Sequence, residues 1–274
     1  MRVLPILIAM LPSLAWSEPL RIVTDIPPIH SLVSRVMGDR GQIDVMLDAS
    51  ADPHHFQLRP SQSRAISRAD VVIWVGEEMT PWFARAKDAI AADVPSLTFT
   101  EADVEDPHVW LNIDHAAQMV AEIADTLAGL DAEGAAYYRE NAGVAAKELA
   151  ELTARVSETL TGIEDAPFVV GHDAYDYFTD QFGLNLVGSL TDIHDSPASV
   201  QHISDLVRLA ESGDVKCVFP EGGESLSLAN VLVDAGALLG DPLDPEGVFL
   251  TPGPELYDDL VTNLAKSLSN CLSG

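Results

Sequence analysis

The chain of 274 residues is long enough for one large or two ordinary domains, and its 47% apolar content excludes a wholly disordered polypeptide. Its 43 Asp and Glu residues outnumber its 15 Lys and Arg residues, which gives a formal net charge of −28. This charge argues against binding to nucleic acids or to anionic membranes, because both require a basic surface. It suits a soluble protein that attracts cations.

Residues 1–17 have the pattern of a secretory signal peptide. Arg2 precedes an uncharged, mostly apolar stretch at residues 3–15, and the small residues Ala15 and Ser17 suit cleavage after Ser17. We therefore expect export to the periplasm. We expect no lipid anchor, because no cysteine lies near the cleavage site. In an oxidising compartment the two cysteines, Cys217 and Cys271, are expected to form a disulfide.

After the signal, short β-rich runs alternate with amphipathic helical patterns, which predicts an α/β fold with mainly parallel sheets flanked by helices. In the first part of the chain, strands are predicted at residues 20–24, 43–47, 71–75 and 96–100. Helices are predicted at residues 29–37, 61–68 and 81–91, with Ser61 as the N-cap of the second.

Residues 114–160 are almost entirely helical in pattern. A single apolar stripe recurs at helical spacing through Ala145, Leu149, Leu152, Val156 and Leu160. Gly134 is predicted to divide the region into two helices, the second of about 25 residues, which is long for a globular protein. We interpret this second helix as a bridge between two lobes.

Beyond the bridge the alternation resumes. Strands are predicted at residues 168–170, 184–190 and 215–219, and helices at residues 174–182, 197–210, 226–237 and 254–271. The predicted organisation is a signal peptide at 1–17, an N-terminal α/β lobe at 18–133, a bridging helix at 134–162 and a C-terminal α/β lobe at 163–274.

Three of the eight histidines lie in connections between predicted elements, where the binding residues of α/β proteins collect. His54 and His108 each follow an Asp-Pro pair, and His172 lies where a strand is followed by a helix. Asp173 is a candidate to fix the tautomer of a neighbouring imidazole.

Neutral imidazoles suit zinc, copper, iron and nickel, and three imidazoles with one carboxylate complete a tetrahedral zinc site. Because the three histidines are far apart in the sequence, spacing alone does not distinguish one shared metal from unrelated loop histidines.

Five motifs in order make the chain resemble the zinc-binding subunits of bacterial ABC importers, the ZnuA-like family of metal-specific solute-binding proteins. The motifs are Thr-Asp-Ile-Pro-Pro-Ile-His at 24–30, Asp-Pro-His-His-Phe-Gln-Leu-Arg-Pro-Ser at 52–61, Ala-Asp-Val-Val-Ile-Trp-Val-Gly at 69–76, Asp-Pro-His-Val-Trp-Leu at 106–111 and Gly-His-Asp-Ala-Tyr-Asp-Tyr-Phe at 171–178. The resemblance covers essentially the whole chain after the signal. It implies two α/β lobes joined by a long helix, with a metal ion in the cleft between them.

By position, the resemblance implies His54, His108 and His172 as metal ligands. The fourth position of the family is an acid or water, and here it corresponds to Asp244, with Asp241 and Glu246 as near competitors. Cys217 and Cys271 match a disulfide of some zinc-specific members. Residues 99–107 are short and acidic and contain no histidine, unlike the His-rich loop of many members, which leaves a zinc-scavenging role for this segment in doubt.

The resemblance implies capture of Zn(II) in the periplasm and delivery to the membrane permease of an ABC importer, by a monomer that is not an enzyme. Manganese or iron binding in the same class is the alternative, although His172 favours zinc because the manganese binders tend to use two histidines and two carboxylates. A three-histidine zinc hydrolase is less favoured, because neither H-E-x-x-H nor G-x-S-x-G occurs. An adhesin-like surface protein lacks support because no lipid-attachment cysteine is present.

Overall fold

The computed structural model describes residues 19–47, 51, 56–194, 196, 198–222 and 226–274, so the predicted signal peptide lies outside the described residues. The first lobe contains a four-stranded sheet in the order β2-β1-β3-β4 in which every pairing is parallel. Its strands are β1 (Leu20–Thr24), β2 (Gly41–Val45), β3 (Val71–Trp74) and β4 (Ser96–Thr98).

The three helices of the first lobe, α1 (Pro27–Met37), α2 (Pro60–Ile66) and α3 (Pro81–Ile90), all have proline in their first turn. Proline suits this position because it lacks the N–H that would have no helical partner there. The prediction that Ser61 caps α2 is wrong. Pro60 sets the start of the helix one residue earlier, so Arg59 is the N-cap, and its N–H donates to Gln62 Oε1 at 2.7 Å.

Two long helices form the centre of the molecule. A short 3-10 turn (Val109–Leu111) leads into α4 (Ile113–Leu130), whose N-terminus is capped by the Asn112 side chain. The chain then turns at the predicted break and continues as the 26-residue α5 (Ala135–Leu160). All five residues of the predicted apolar stripe on α5 are buried, and the helix packs against α4 and α1.

The second lobe repeats the architecture of the first. Its sheet has the order β6-β5-β7-β8, again parallel, with β5 (Phe168–Val170), β6 (Leu186–Ser189), β7 (Cys217–Phe219) and β8 (Leu238–Leu239). The helices are α6 (Asp176–Phe182), α7 (Val200–Ser212), α8 (Ser227–Asp234) and α9 (Leu256–Leu272). The predicted fold class is therefore confirmed, while the predicted domain boundaries stay a prediction.

Helix α9 connects the second lobe to the first. Ser31 Oγ on α1 donates to the carbonyl of Pro254 at 3.0 Å and accepts from the N–H of Tyr257 at 3.1 Å. Arg35 Nε donates to the same Pro254 carbonyl at 2.8 Å, and the Arg35 guanidinium pairs with Asp258. The α9 helix also packs along α5. The two lobes are thus held together by side-chain contacts as well as by the long helix.

No helix in the described part of the chain is both long enough and apolar enough to cross a membrane.

The predicted disulfide joins Cys217 on β7 to Cys271 on α9, at a sequence separation of 54. Replacing both cysteines by alanine should lower the free energy of unfolding by about 4 kcal/mol, because the unfolded chain regains the entropy of a long closed loop. Guanidinium titration of the oxidised wild type and the double variant measures the difference. Equal denaturation midpoints for the two proteins would contradict this expectation.

Candidate metal centre

Two of the predicted ligands meet at the seam between the lobes. His172 follows the carboxyl end of β5, and His108 lies immediately before the 3-10 turn that leads into α4. Their imidazole centroids are 5.1 Å apart with the rings nearly perpendicular. His108 is fully buried and His172 is 2% exposed. Parallel strands bring their carboxyl ends to the same edge of a sheet, which is why this edge collects the binding residues.

A carboxylate faces Nδ1 of each imidazole. Asp106 Oδ1 accepts from the backbone N–H of His108 at 2.9 Å and lies 2.8 Å from His108 Nδ1. Glu221, which follows β7, places Oε2 at 3.2 Å from His172 Nδ1. When Nδ1 donates its proton to the carboxylate, Nε2 carries the lone pair that a metal cation binds. Both rings are therefore oriented as metal ligands are, with Asp106 and Glu221 rather than Asp173 as the orienting acids.

Burial keeps His108 in the form that binds metals. Removal from water lowers the pKa of His108 well below its usual 6.5, and the nearby His172 and His194 lower it further, because a second positive charge would be repelled. Burial also raises the pKa of Asp106 to about 6. At neutral pH the His108 imidazole is therefore uncharged.

An acidic groove of about 520 Å³ adjoins this pair. It is lined by six acids, Glu105, Asp106, Asp173, Asp176, Asp180 and Asp192. Two of these acids come from the short acidic segment at residues 99–107. Clustered carboxylates create a negative potential that raises the local concentration of cations.

His54 lies outside the described residues. Among the residues that the structure describes, no group of three His, Cys, Asp or Glu side chains is arranged to hold a metal ion. The described site thus provides two of the predicted imidazoles. The assignment of His54 as a ligand stays a prediction.

The three acids considered for the fourth ligand position have different surroundings in the structure. Asp244 Oδ1 accepts from the N–H of Val248 at 3.0 Å and Oδ2 accepts from the N–H of Phe249 at 3.1 Å, so both oxygens stabilise a turn. Asp241 is exposed. Glu246 is only 2% exposed. The assignment of Asp244 as a ligand also stays a prediction.

Trp110 is a residue of the site whose role the sequence did not predict. Its ring lies 5.2 Å from that of His108, and its Nε1 donates across the seam to the carbonyl of Pro245 at 2.8 Å. The carbonyl of Trp110 in turn accepts from Tyr257 Oη at 2.6 Å. Trp110 therefore links the segment that carries His108 to the loop of Asp244 and Glu246.

Two parallel α/β lobes joined by a long helix, with buried imidazoles at their seam, define a two-lobed solute-binding protein. Residues 22–271 match the family described as ZnuA, the periplasmic component A of the zinc-uptake complex, and the chain belongs to this family.

Named relatives agree with this assignment. The chain is 35% identical to the high-affinity zinc uptake system protein ZnuA of Paracoccus denitrificans, over 94% of this chain and 93% of the relative. It is 26% identical to the manganese-binding lipoprotein MntA of Halalkalibacterium halodurans, over 93% of this chain and 89% of the relative. A crystal structure of ZnuA shares the fold, with a TM-score of 0.80 at 24% identity, over 93% of this chain and all of that one.

The Trp110→Phe variant should lose about 1 to 2 kcal/mol of stability, because the buried Pro245 carbonyl loses its donor while the aromatic packing is largely kept. Trp74→Phe is the matched control, since Trp74 is buried and its Nε1 has no hydrogen-bond partner among the described residues. Thermal or denaturant unfolding of the two variants provides the comparison. A Trp74→Phe variant that loses as much stability as Trp110→Phe would show that the seam hydrogen bond is not the cause.

Proposed function

We propose that this protein captures Zn(II) in the periplasm and delivers it to the permease of an ABC importer. The observation that supports this most strongly is the pair of buried imidazoles at the seam, each with a carboxylate at Nδ1. Membership of the zinc-uptake family supports the same conclusion. The proposal includes no catalytic step, in keeping with the prediction that the chain is not an enzyme.

The proposed ligands are His54, His108 and His172, with Asp244 as the carboxylate assigned by position. Three neutral imidazoles and one carboxylate would give a four-coordinate site with a net charge of +1 around a divalent ion. In this scheme the metal is the cargo of the protein. It has to be released to the permease.

Zinc is proposed over manganese because of the nitrogen-rich donor set. Imidazole suits zinc, and the Irving–Williams order gives zinc higher affinity than manganese at such a site. The manganese-binding relative makes manganese the alternative cargo. Elemental analysis of protein purified without chelators, followed by competition between the two metals, distinguishes these two possibilities.

The acidic groove supports the capture step. A cation approaching the seam passes six carboxylates and meets a chain with a formal net charge of −28. This field increases the rate of encounter with cations, and the effect weakens as salt increases. We also propose that the protein acts as a monomer in the periplasm after loss of residues 1–17.

Replacing His54, His108 and His172 together by alanine should abolish stoichiometric zinc binding, because all three proposed nitrogen donors are removed. Each single replacement should weaken binding, and replacing His202 by alanine provides a matched control, since His202 lies on α7 and its Nε2 contacts the Ser189 carbonyl instead. Calorimetry and elemental analysis measure the stoichiometry. A triple variant that still binds one zinc tightly would rule out this ligand set.

Zinc affinity should fall as the pH is lowered from about 7.5 to 5.5, because protons compete with zinc for imidazoles whose usual pKa is about 6.5. Burial lowers the pKa of His108, so protons compete less strongly for this ligand than for an ordinary imidazole. Competition with a chelator of known affinity at several pH values tests this, and pH-independent affinity would be inconsistent with imidazole ligands.

A further inference from the structure

A groove in the first lobe has a cationic lining, although the chain as a whole is strongly acidic. The groove has a volume of about 490 Å³, and three arginines line it, Arg21, Arg64 and Arg68. Asp44 is the single acid among its described lining residues. The whole chain has 15 Lys and Arg residues against 43 Asp and Glu residues. The excess of positive charge at this groove is therefore opposite to the composition of the chain.

The groove lies between helix α2 and one face of strands β1 and β2. Arg21 pairs in register with Gln42, and Val23 pairs with Asp44. Because alternate residues of a strand point to the same face, these four side chains share one face of the sheet. Helix α2 and the turn after it supply the other wall through Ser61, Arg64, Ala65 and Arg68. Cationic side chains therefore reach the groove from both walls.

Hydrogen bonds near both ends of α2 hold the two walls together. After the helix, the N–H of Arg21 donates to Asp70 Oδ2 at 2.8 Å, and the N–H of Asp70 donates to the carbonyl of Arg21 at 2.8 Å. Near the start of the helix, the buried Gln62 Nε2 donates to the carbonyl of Met46 at 2.7 Å. The backbone on both sides of the groove is thus fixed before any ligand binds. A ligand then has to order side chains only, which lowers the entropy cost of binding.

Two of the three arginines have no anionic partner. The guanidinium groups of Arg64 and Arg68 form no ion pair or hydrogen bond with any residue that the structure describes. Each of five other arginines pairs with an acid, namely Arg35, Arg40, Arg139, Arg155 and Arg208. A cation in the last turn of α2 suits the negative end of the helix dipole, but this does not account for Arg21 on the neighbouring strand. An anion in the groove would offset the mutual repulsion of these like charges.

We propose that this groove binds a small organic anion that carries at least two carboxylates. The planar guanidinium group donates two parallel hydrogen bonds to a carboxylate, and arginines on both walls suit carboxylates that are separated within one ligand. The groove volume lies within the range of about 300–1,000 Å³ that is typical of small-molecule sites. This volume exceeds what a single compact ion such as phosphate fills.

The remaining polar residues of the lining specify the ligand further. Gln42 and Ser61 add neutral hydrogen-bond donors. Asp44 is an acceptor when it is ionised, so it suits a hydroxyl group on the ligand and disfavours a third unpaired negative charge beside it. A hydroxylated polycarboxylate such as citrate therefore fits the lining better than the same acid without its hydroxyl group.

The overall charge of the chain favours a small anion over a large one. A net charge of −28 repels an anionic membrane or a polyanion that extends over the surface. Salt screens charges beyond about 8 Å at physiological ionic strength, so an ion within the groove is affected mainly by the side chains that line it. The attraction of the three arginines is therefore available to a ligand that the groove can enclose.

The groove is separate from the candidate metal centre. Arg21 and Gln42 are the second residues of their strands, so the groove lies toward the amino ends of β1 and β2. His172 instead follows the carboxyl end of β5. The inference therefore goes beyond the proposed zinc-binding function and does not depend on it.

The test measures citrate binding to the full mature protein after removal of metal ions, because citrate itself binds zinc. Calorimetry gives the affinity, and amide resonances of β1, β2 and α2 should shift as citrate is added. In a double variant with Arg64→Gln and Arg68→Gln, we expect the affinity for citrate to fall by about tenfold or more. Both arginines are exposed, so these replacements should leave the fold intact. A second double variant, with Arg85→Gln and Arg139→Gln, removes the same charge at exposed positions on α3 and α5 and should bind citrate as the wild type does.

Wild-type protein that binds no citrate at millimolar concentrations would overturn the inference, as would equal losses of affinity in the two double variants. Phosphate that binds more tightly than citrate would show that the ligand is a compact oxyanion and not a polycarboxylate. Tricarballylate, which is citrate without its hydroxyl group, should bind more weakly than citrate, and equal affinities would overturn the role assigned to Asp44. Replacing His54, His108 and His172 by alanine should leave citrate binding unchanged, so the anion site and the zinc site can fail independently.

Discussion

The juxtaposition of two buried imidazoles from different parts of the chain is the constraint on which the rest of the structure depends. His172 is placed by the sheet of the second lobe, whereas His108 belongs to the segment that precedes the central helices. Their separation holds only if the lobes keep a fixed relative position. The hydrogen bonds of Ser31, Arg35, Trp110 and Tyr257 across the seam provide that restraint. A site held by packed side chains loses less entropy on binding than one assembled from mobile loops.

The distribution of acidic residues is related to the position of the two imidazoles. An excess of carboxylates destabilises a compact fold through self-repulsion, yet six acids line one groove beside the imidazoles. Burial raises the pKa of Asp173 and Asp176 in this groove, with a further contribution from neighbouring acids. The raised pKa values show that gathering these acids in one groove has an electrostatic cost, which a bound cation would relieve. Capture of a divalent ion would therefore offset a repulsion that the free protein has to carry.

Much of the fold was predictable from local pattern. The buried run at β3, the break between α4 and α5 and the apolar stripe of α5 follow from short-range periodicity, and the structure shows all three. The β8 strand was missed because it has two residues, both about half exposed, and its formation depends on pairing with β7. The capping error at α2 has a similar origin, since Ser61 is a good cap by residue type but Pro60 already fixes the helix start.

The contacts of the candidate site also differ in whether they depend on local sequence or on long-range packing. Asp106 orients His108 from two residues away, so the Asp-Pro-His motif contained that contact in the sequence itself. Glu221 reaches His172 from another strand, and Trp110 reaches Pro245 across the seam, so neither contact leaves a local pattern. Asp244 was chosen by position in a motif, and its side chain forms a turn that position alone could not reveal. Residue types and spacing therefore gave the candidate ligands, whereas the hydrogen-bond partners of each carboxylate depend on tertiary packing.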